Sequence, residues 1–230
     1  MKRARGIIIA IDGPSGAGKS TLARTLAKRL GYLQLDTGAM YRAMAWLARA
    51  TGLDLSNEAA VQLFCATADI ELEPVNGSSR VFANGREVTA EIRTPEISML
   101  TSRISALGPV REAMTNLQRR MGAQGGVVLE GRDIGTVVFP DAELKFYLTA
   151  SAEERGRRRF LELQAKGDSI SLEATIQDVQ QRDAQDAGRL LAPLRQAADA
   201  RPIDSTGLTV DEVVSLMEQA ARAILAGKER

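Results

Sequence analysis

Residues 10–21 read AIDGPSGAGKST, and this stretch decides the fold. The apolar run that precedes and enters it, Gly6–Asp12, has consecutive isoleucines and is typical of a strand buried on both faces. After it, Leu22, Leu26 and Leu30 recur at helical spacing. The sequence therefore predicts a strand, a glycine-rich turn and a helix, in that order.

The turn, Gly13–Thr21, is called the glycine-rich loop below, and it matches the pattern G-x-x-x-x-G-K-[ST]. In this context the glycines let backbone N–H groups surround the phosphates of a nucleoside triphosphate, and the helix N-terminus adds a favourable dipole. We expect Lys19 to reach the β and γ oxygens and the Ser20 hydroxyl to bind Mg²⁺. The loop predicted to hold this nucleoside triphosphate comprises Gly13, Pro14, Ser15, Gly16, Ala17, Gly18, Lys19, Ser20 and Thr21.

The rest of the chain alternates short apolar strands with amphipathic helices, which predicts an α/β fold with a parallel sheet flanked by helices. Thr94 is a predicted N-cap with Pro95 at the first helical position, and capping boxes at Ser151 and Thr209 predict two later helices. The predicted strands span 32–36, 126–130, 144–149 and 202–205, and further predicted helices span 38–50, 56–68 and 110–121.

Residues 69–89 break this pattern. Two Asn-Gly pairs, at 76–77 and 84–85, separate three extended pieces, and Asn-Gly is a strong hairpin signal because both turn residues tolerate positive φ. We predict a small three-stranded antiparallel lobe inserted into the parallel core, with Pro74 at an edge or a bulge. The whole chain, 1–230, is predicted to be one domain.

Composition excludes several classes of protein. The net charge is +1 and 4% of residues are aromatic, whereas a dedicated nucleic-acid binder needs a basic face and stacking rings. The chain has no histidine and one cysteine, Cys65, which excludes Cys-His catalysis and most zinc sites. The run Ile7–Ile11 is shorter than a signal-peptide core, and no run approaches the roughly 20 apolar residues of a membrane span. We expect a cytoplasmic protein that binds neither membrane nor nucleic acid.

Six of the 30 basic residues are lysine, so 24 are arginine, whose planar fork matches phosphate oxygens. Arg155, Arg158 and Arg159 share one helix face, with Arg157 turned away, by their spacing. Arg182, Asp186 and Arg189 share a face if their helix persists that far. Grouped arginines stabilise the charge that spreads over a transferring phosphoryl group. A solvated helix face is the alternative for the first row.

Two further clusters follow predicted strands, at the edge where open α/β sheets bind ligands. In the stretch LDTGAMYR, 35–42, the candidates for binding an acceptor are Thr37, Tyr41 and Arg42. In the alternative interpretation, Thr37 is a plain N-cap and Tyr41 is a core residue. In the stretch LEGRDIGT, 129–136, the candidates for binding an acceptor are Arg132 and Asp133. The alternative is that these two residues form a structural salt bridge. A GTPase switch is not favoured, because the D-x-x-G at 204–207 has no N-K-x-D after it.

A set of motifs extends along the chain from about residue 6 to residue 206: IDGPSGAGKST, LDTGAMYR, EIRTPE, GPVREA, EGRDIGTVVFPDA and the later RD, D, R and APL. Taken together and in this order, these motifs resemble those of the cytidylate kinase family. The resemblance implies a nucleoside monophosphate kinase fold with a monophosphate-binding lobe at about 60–107 and a lid at about 151–190. It implies a monomer that moves the γ-phosphoryl group of ATP, with Mg²⁺, to CMP or dCMP. A kinase for another small acceptor and a regulatory nucleotide-binding module remain as alternatives.

The resemblance also assigns roles. Ser102, Arg111 and Asp133 would read cytosine, and a carboxylate accepts from the cytosine amine where uracil presents an acceptor. Thr37 and Glu130 depart from the family, which often has Ser and Asp there. The implied CMP-binding residues are Thr37, Tyr41, Arg42, Ser102, Arg111, Arg132, Asp133, Arg182, Asp186 and Arg189. The implied catalytic residues are Lys19, Arg132, Arg155, Arg158, Arg159 and Arg189.

Overall fold

The computed structural model describes residues 3–75, 78–165, 167 and 169–228. Its centre is a five-stranded parallel sheet. The predicted parallel sheet is confirmed. Its strands are β1 Ile8–Asp12, β2 Leu33–Asp36, β6 Val127–Gly131, β7 Leu144–Thr149 and β8 Arg201–Asp204. Across the sheet they lie in the order β2-β6-β1-β7-β8.

Eight helices lie in the described part of the chain. They are α1 Lys19–Leu30, α2 Thr37–Ala50, α3 Glu58–Thr67, α4 Pro95–Ile104, α5 Gly108–Gly122, α6 Ala152–Gln164, α7 Leu172–Ala187 and α8 Val210–Lys228. A 3₁₀ turn spans Glu91–Arg93 and a π-helical turn spans Ile134–Val138. None of these helices combines the length and the apolar character that crossing a membrane requires.

The predicted helix ends are largely confirmed. The Thr94 hydroxyl accepts a hydrogen bond from Ile97 N, and the Ser151 hydroxyl accepts one from Glu154 N. Thr209 and Glu212 exchange hydrogen bonds as in a complete capping box. The helix predicted after the glycine-rich loop begins at Lys19, and Gly18 is its N-cap, with a φ of 88°.

Two local predictions need correction. Asp36, and not Thr37, caps α2, because its Oδ1 accepts from Ala39 N at 2.8 Å. The interpretation of Thr37 as an N-cap is therefore wrong. Helix α7 ends at Ala187, so Arg189 lies beyond the helix and reaches Asp186 from the following segment.

The inserted antiparallel sheet is also confirmed. It comprises β3 Ile70–Val75, β4 Ser78–Ala83 and β5 Arg86–Glu87, with β4 in the middle. Asn84 and Gly85 turn between β4 and β5 with φ values of 49° and 76°. Pro74 lies in the edge strand β3, as expected. The predicted turn at Asn76-Gly77 lies outside the described residues.

Strand β1 is buried on both faces, which explains its continuous apolar sequence. Ile9 and Ile11 pack with residues of α1 and α8, whereas Ile8 and Ala10 pack on the opposite side with Leu129. Because β1, β2, β6 and β7 are parallel, the loops after them meet at one edge of the sheet. The glycine-rich loop and both predicted charged clusters follow these strands.

Candidate active site

A cleft of about 1040 Å³ opens at this edge of the sheet. Most of the residues predicted for the donor and acceptor sites line it, whereas Gly13, Pro14 and Arg155 do not. The predicted residues on the cleft are Ser15, Gly16, Ala17, Gly18, Lys19, Ser20, Thr21, Thr37, Tyr41, Arg42, Ser102, Arg111, Arg132, Asp133, Arg158, Arg159, Arg182, Asp186 and Arg189.

Lys19 is the first residue of α1 and lies near the end of the glycine-rich loop. Its Nζ donates a hydrogen bond to the Pro14 carbonyl oxygen at 2.5 Å, and the residue is 7% exposed. Burial, together with repulsion from Arg132, lowers the pKa of Lys19 to about 7. A buried cation of this kind is stabilised by an anionic ligand, as the sequence predicts for this lysine.

Glu130 lies behind the same loop, at the end of β6. Its Oε2 accepts from the Ser20 hydroxyl at 2.7 Å, and its Oε1 accepts from Gln34 Nε2 at 3.0 Å. Burial and then the charge of Asp36 raise the pKa of Glu130 to about 7. The loop hydroxyl predicted to bind Mg²⁺ is therefore held against a carboxylate.

The oxygen donors here suit Mg²⁺, which is commonly held by one or two protein oxygens together with substrate phosphates. Ser20 offers a hydroxyl, and Glu130 offers a carboxylate beside it. In the described ranges, no three acidic, cysteine or histidine side chains group into a metal site. The Ser20 hydroxyl and the Glu130 carboxylate are the oxygen donors that this site offers to a metal ion.

Two of the three base-reading residues predicted from the resemblance, Arg111 and Asp133, are in contact in the cleft. Arg111 Nη2 pairs with Asp133 Oδ2, and Arg111 Nη1 donates to the Ser105 carbonyl oxygen at 3.2 Å. The Arg111 guanidinium lies 5.9 Å from the centre of the Tyr41 ring. Burial raises the pKa of the Asp133 carboxyl, although Arg111 opposes this shift. Ser102 also lines the cleft.

A second group of charges centres on Asp186, in the last turn of α7. Its Oδ2 accepts from Arg132 Nε and its Oδ1 pairs with Arg189 Nη2, both at 2.6 Å. Burial lowers the pKa of the Arg189 guanidinium. One carboxylate therefore aligns two arginines that come from different elements.

Thr37 and Arg42 lie in the first half of α2 and line the same cleft. Arg42 Nη2 pairs with Asp36 Oδ2 at 3.2 Å, and its buried Nε has no hydrogen-bond partner among the described residues. The Thr37 hydroxyl donates to the Glu130 carbonyl oxygen at 2.6 Å. Thr37 is thus fixed between α2 and β6, and its contact with an acceptor stays a prediction.

The arginines of α6 occupy different surroundings. Arg158 donates to the Glu154 carboxylate and to the backbone oxygen of Ser205, both at 2.8 Å. Arg157 also pairs with Glu154 and lines the cleft, so the prediction that Arg157 turns away is wrong. Arg155, in the first turn of α6, is buried against the glycine-rich loop. The long side chains, and not helical spacing alone, decide which guanidinium groups reach the cleft.

The remaining predicted arginines pair locally. Arg159 pairs with Glu162 at 3.2 Å, and Arg182 pairs with Asp178 at 3.1 Å. Both arginines line the cleft and are about one quarter exposed. Surface pairs of this kind contribute little to stability, so these guanidinium groups are available to an anion.

Sequence reasoning missed two residues with central contacts. Ser105 binds both Arg111 and Arg189, but a single serine after a helix carries no signal. Asp183 accepts from Ser15 N at 3.1 Å, and its position directly after Arg182 in a quoted motif could have drawn attention to it. The segment Leu208–Val210, which lines the loop end of the cleft, was also missed.

The chain is similar to known proteins over nearly its whole length. A sequence model of the family described as cytidylate kinase matches residues 9–223. The cytidylate kinase of Geobacter sp. (strain M21) is 59% identical over 224 residues, covering 97% of this chain and 96% of that protein. The cytidylate kinase of Pseudomonas syringae pv. tomato is 45% identical over 223 residues, covering 96% and 97%.

Among solved structures, an uncharacterized protein from Eubacterium ventriosum superimposes with a TM-score of 0.53. The two chains are 13% identical, and the superposition covers 94% of this chain and 98% of the other. At this identity the similarity shows a shared fold alone.

Proposed function

The chain belongs to the cytidylate kinase family, and we infer that it carries out the reaction for which that family is named. It transfers the γ-phosphoryl group of ATP to CMP or dCMP and releases ADP with CDP or dCDP. The observation that carries the proposal is the cleft itself, which joins the glycine-rich loop to the Arg111–Asp133 pair. We assign the donor to the first end and the acceptor base to the second.

Asp133 selects the base in this proposal. Its carboxylate accepts from the exocyclic amine of cytosine, and Arg111 and Ser102 donate to the ring nitrogen and the carbonyl oxygen. Uracil would place an acceptor against the Asp133 oxygens, which leaves a buried acceptor unpaired. The burial of Asp133, at 6% exposure, makes this mismatch costly.

The acceptor phosphate lies near Arg42, Arg132 and Arg189 in this arrangement, and the sugar lies near Arg182 and Asp186. An attacking phosphate oxygen is already ionised at neutral pH, so transfer needs no general base. The chain accordingly contributes position and positive charge. Lys19, Arg132 and Arg189 stabilise the charge on the transferring group, and Arg158 and Arg159 add to it from the lid.

We propose that Mg²⁺ arrives with ATP and is held by the Ser20 hydroxyl and the nucleotide phosphates. When bound, the ion neutralises charge on the β and γ oxygens. Glu130 orients the Ser20 hydroxyl through the hydrogen bond of 2.7 Å. The donor base lies toward Leu208 and Thr209, which line the cleft next to Arg158.

The lobe at about 60–107 and the lid at about 151–190 are proposed to close over the substrates, which keeps water from the phosphoryl group. We also propose that the protein works as a cytoplasmic monomer, since residues of a single chain line both ends of the cleft.

ADP release from MgATP tests the function, measured in turn with CMP, dCMP, UMP, AMP and GMP. We expect rapid turnover with CMP and dCMP alone. Rapid turnover with another acceptor would favour a kinase of different specificity. Slow hydrolysis that no monophosphate stimulates would favour a regulatory nucleotide-binding module. A Lys19→Met variant controls for contaminating activity, because it removes the charge of the glycine-rich loop.

A further inference from the structure

We infer that Asp183 is a positioning residue for ATP, which acts with Arg155 to fix the backbone of Ser15 in the glycine-rich loop. The inference rests on the proposed function, since it concerns how the donor site is held. Its basis is a group of contacts that Arg155 and Asp183 make with the glycine-rich loop. These contacts lie behind the loop, away from the acceptor residues that line the cleft.

The two backbone polar groups of Ser15 are both engaged by side chains of the lid. Ser15 N donates to Asp183 Oδ1 at 3.1 Å, and the Ser15 carbonyl oxygen accepts from Arg155 Nη1 at 3.0 Å. The same Arg155 Nη1 pairs with Asp183 Oδ2. Arg155 Nε is held in turn by the Ala150 carbonyl oxygen at 2.9 Å.

These contacts join three parts of the fold. Arg155 lies in the first turn of α6, Asp183 lies near the end of α7, and Ser15 lies in the loop after β1. The helices α6 and α7 pack closely, since a Cβ added to Gly156 would lie 2.3 Å from Ile176 Cγ1. The Arg155 side chain is 8% exposed. The Asp183 side chain is 21% exposed. A mostly buried ion pair that also makes several hydrogen bonds favours one arrangement, so it holds the loop in one conformation.

A fixed loop matters for phosphate binding because the backbone N–H groups of the loop must point toward the phosphates before ATP arrives. Gly16 directly follows Ser15, and it has a φ of 74°. A peptide that is free to rotate at Ser15 would change the direction of the groups that follow. Arg155 thus acts through Ser15, whereas Arg158 and Arg159 line the cleft.

The experiment compares Asp183→Asn and Asp183→Ala with the wild-type enzyme. Asparagine keeps an oxygen that can accept from Ser15 N but loses the charge that holds Arg155, and alanine loses both. We expect KM for ATP to rise about fivefold in the first variant and about 20-fold or more in the second, with KM for CMP within about twofold of wild type. The dissociation constant of ATP measured without CMP should rise by similar factors.

Asp211→Asn is the matched control. Asp211 pairs with Arg29 at 2.7 Å on the exposed surface of α1 and α8, so the control also removes a carboxylate charge from an arginine pair. It should leave both KM values unchanged. Melting temperatures of all variants separate a loss of ATP affinity from a loss of fold, and Asp183→Asn remains informative if Asp183→Ala does not fold.

Equal increases in KM for ATP and CMP, or no change in the affinity for ATP, would overturn the inference. A double variant, Arg155→Ala with Asp183→Ala, should lose no more ATP affinity than the worse single variant, because the two residues act on one peptide. Additive losses would contradict this shared action. The ATP titration needs no acceptor, so the test stands even if the wild-type enzyme fails to phosphorylate CMP, which would reject the proposed function alone.

Discussion

Arg189 Nη2 donates a hydrogen bond to the Ser105 hydroxyl at 3.1 Å, which joins the segment after α7 to the end of α4. The Ser105 carbonyl oxygen also accepts from Arg111. One buried serine therefore contacts an arginine assigned to the acceptor phosphate and an arginine assigned to the acceptor base. The relative position of these two arginines depends on a residue that touches neither substrate in the proposed arrangement.

Replacing Ser105 by alanine tests this dependence. The Ser105→Ala variant keeps the carbonyl oxygen and loses the hydroxyl, so Arg189 should be misplaced while Arg111 is retained. We expect kcat for CMP to fall about tenfold, with a smaller change in KM. Steady-state kinetics with CMP at saturating MgATP measures the effect.

A second serine provides a close control. The Ser215 hydroxyl accepts from Arg29 Nη1 at 3.3 Å and donates to the Asp211 carbonyl oxygen at 2.7 Å, on the exposed side of α8. Ser215→Ala removes the same kind of contact away from the cleft, and its kinetics should match wild type. Equal kcat values in the two alanine variants would show that Ser105 does not position Arg189.

Asp133→Ala tests base selection. Loss of the buried carboxylate should lower kcat/KM for CMP, because a hydrogen bond to a charged group is lost. The decrease should correspond to a loss of transition-state stabilisation of about 1 to 3 kcal/mol. Activity with UMP should fall less, since the carboxylate opposes uracil. The ratio of kcat/KM for CMP to that for UMP is the measurement. Equal losses for the two substrates would remove Asp133 from base recognition.

Arg189→Ala tests phosphate binding. Because every nucleoside monophosphate carries the same phosphate, the variant should lose activity with CMP, dCMP and UMP by the same factor, about 10-fold or more. Arg222→Ala is the control, since Arg222 forms an exposed pair with Glu218 at 2.7 Å. Unchanged turnover in Arg189→Ala would assign this arginine to a structural role with Asp186.

Asp12 should make stability depend on pH. Its carboxylate accepts from Ile134 N at 2.8 Å and Gly135 N at 2.7 Å, yet burial raises its pKa to about 6. An unfolded aspartate ionises near pH 3.9. Between about pH 4 and pH 6 the unfolded chain therefore releases a proton that the folded chain keeps. The contribution of Asp12 to the free energy of unfolding therefore falls as the pH rises through that window, and it is constant above the window.

Urea unfolding of wild type and Asp12→Asn at several pH values checks this sign. Asparagine cannot ionise, so the variant should gain stability relative to wild type by up to about 3 kcal/mol from pH 4 to pH 6.5. The loss of one backbone hydrogen bond adds an offset that does not change with pH. A difference in the free energy of unfolding that stays flat across this range would contradict the prediction.

The glycine-rich loop, the buried β1 strand and the Asn84-Gly85 turn depend on neighbours in the chain, and all three were predicted. The N-cap of α2 was misassigned because Asp36 and Thr37 are adjacent and both residue types cap helices. Only the path of the chain after β2 decides which of the two side chains reaches the free N–H groups.

By itself, the sequence determined the order of strands and helices, the glycine-rich loop and the family, because these follow from short-range patterns and collinear motifs. The tertiary structure alone decided that Arg155 lies behind the loop with Asp183, that Arg157 lines the cleft, and that Ser105 contacts two arginines. Arginine side chains are long, and their partners here lie on elements that are remote along the chain. Which carboxylate or carbonyl each guanidinium meets therefore depends on how the helices pack, and spacing along one helix does not contain that information.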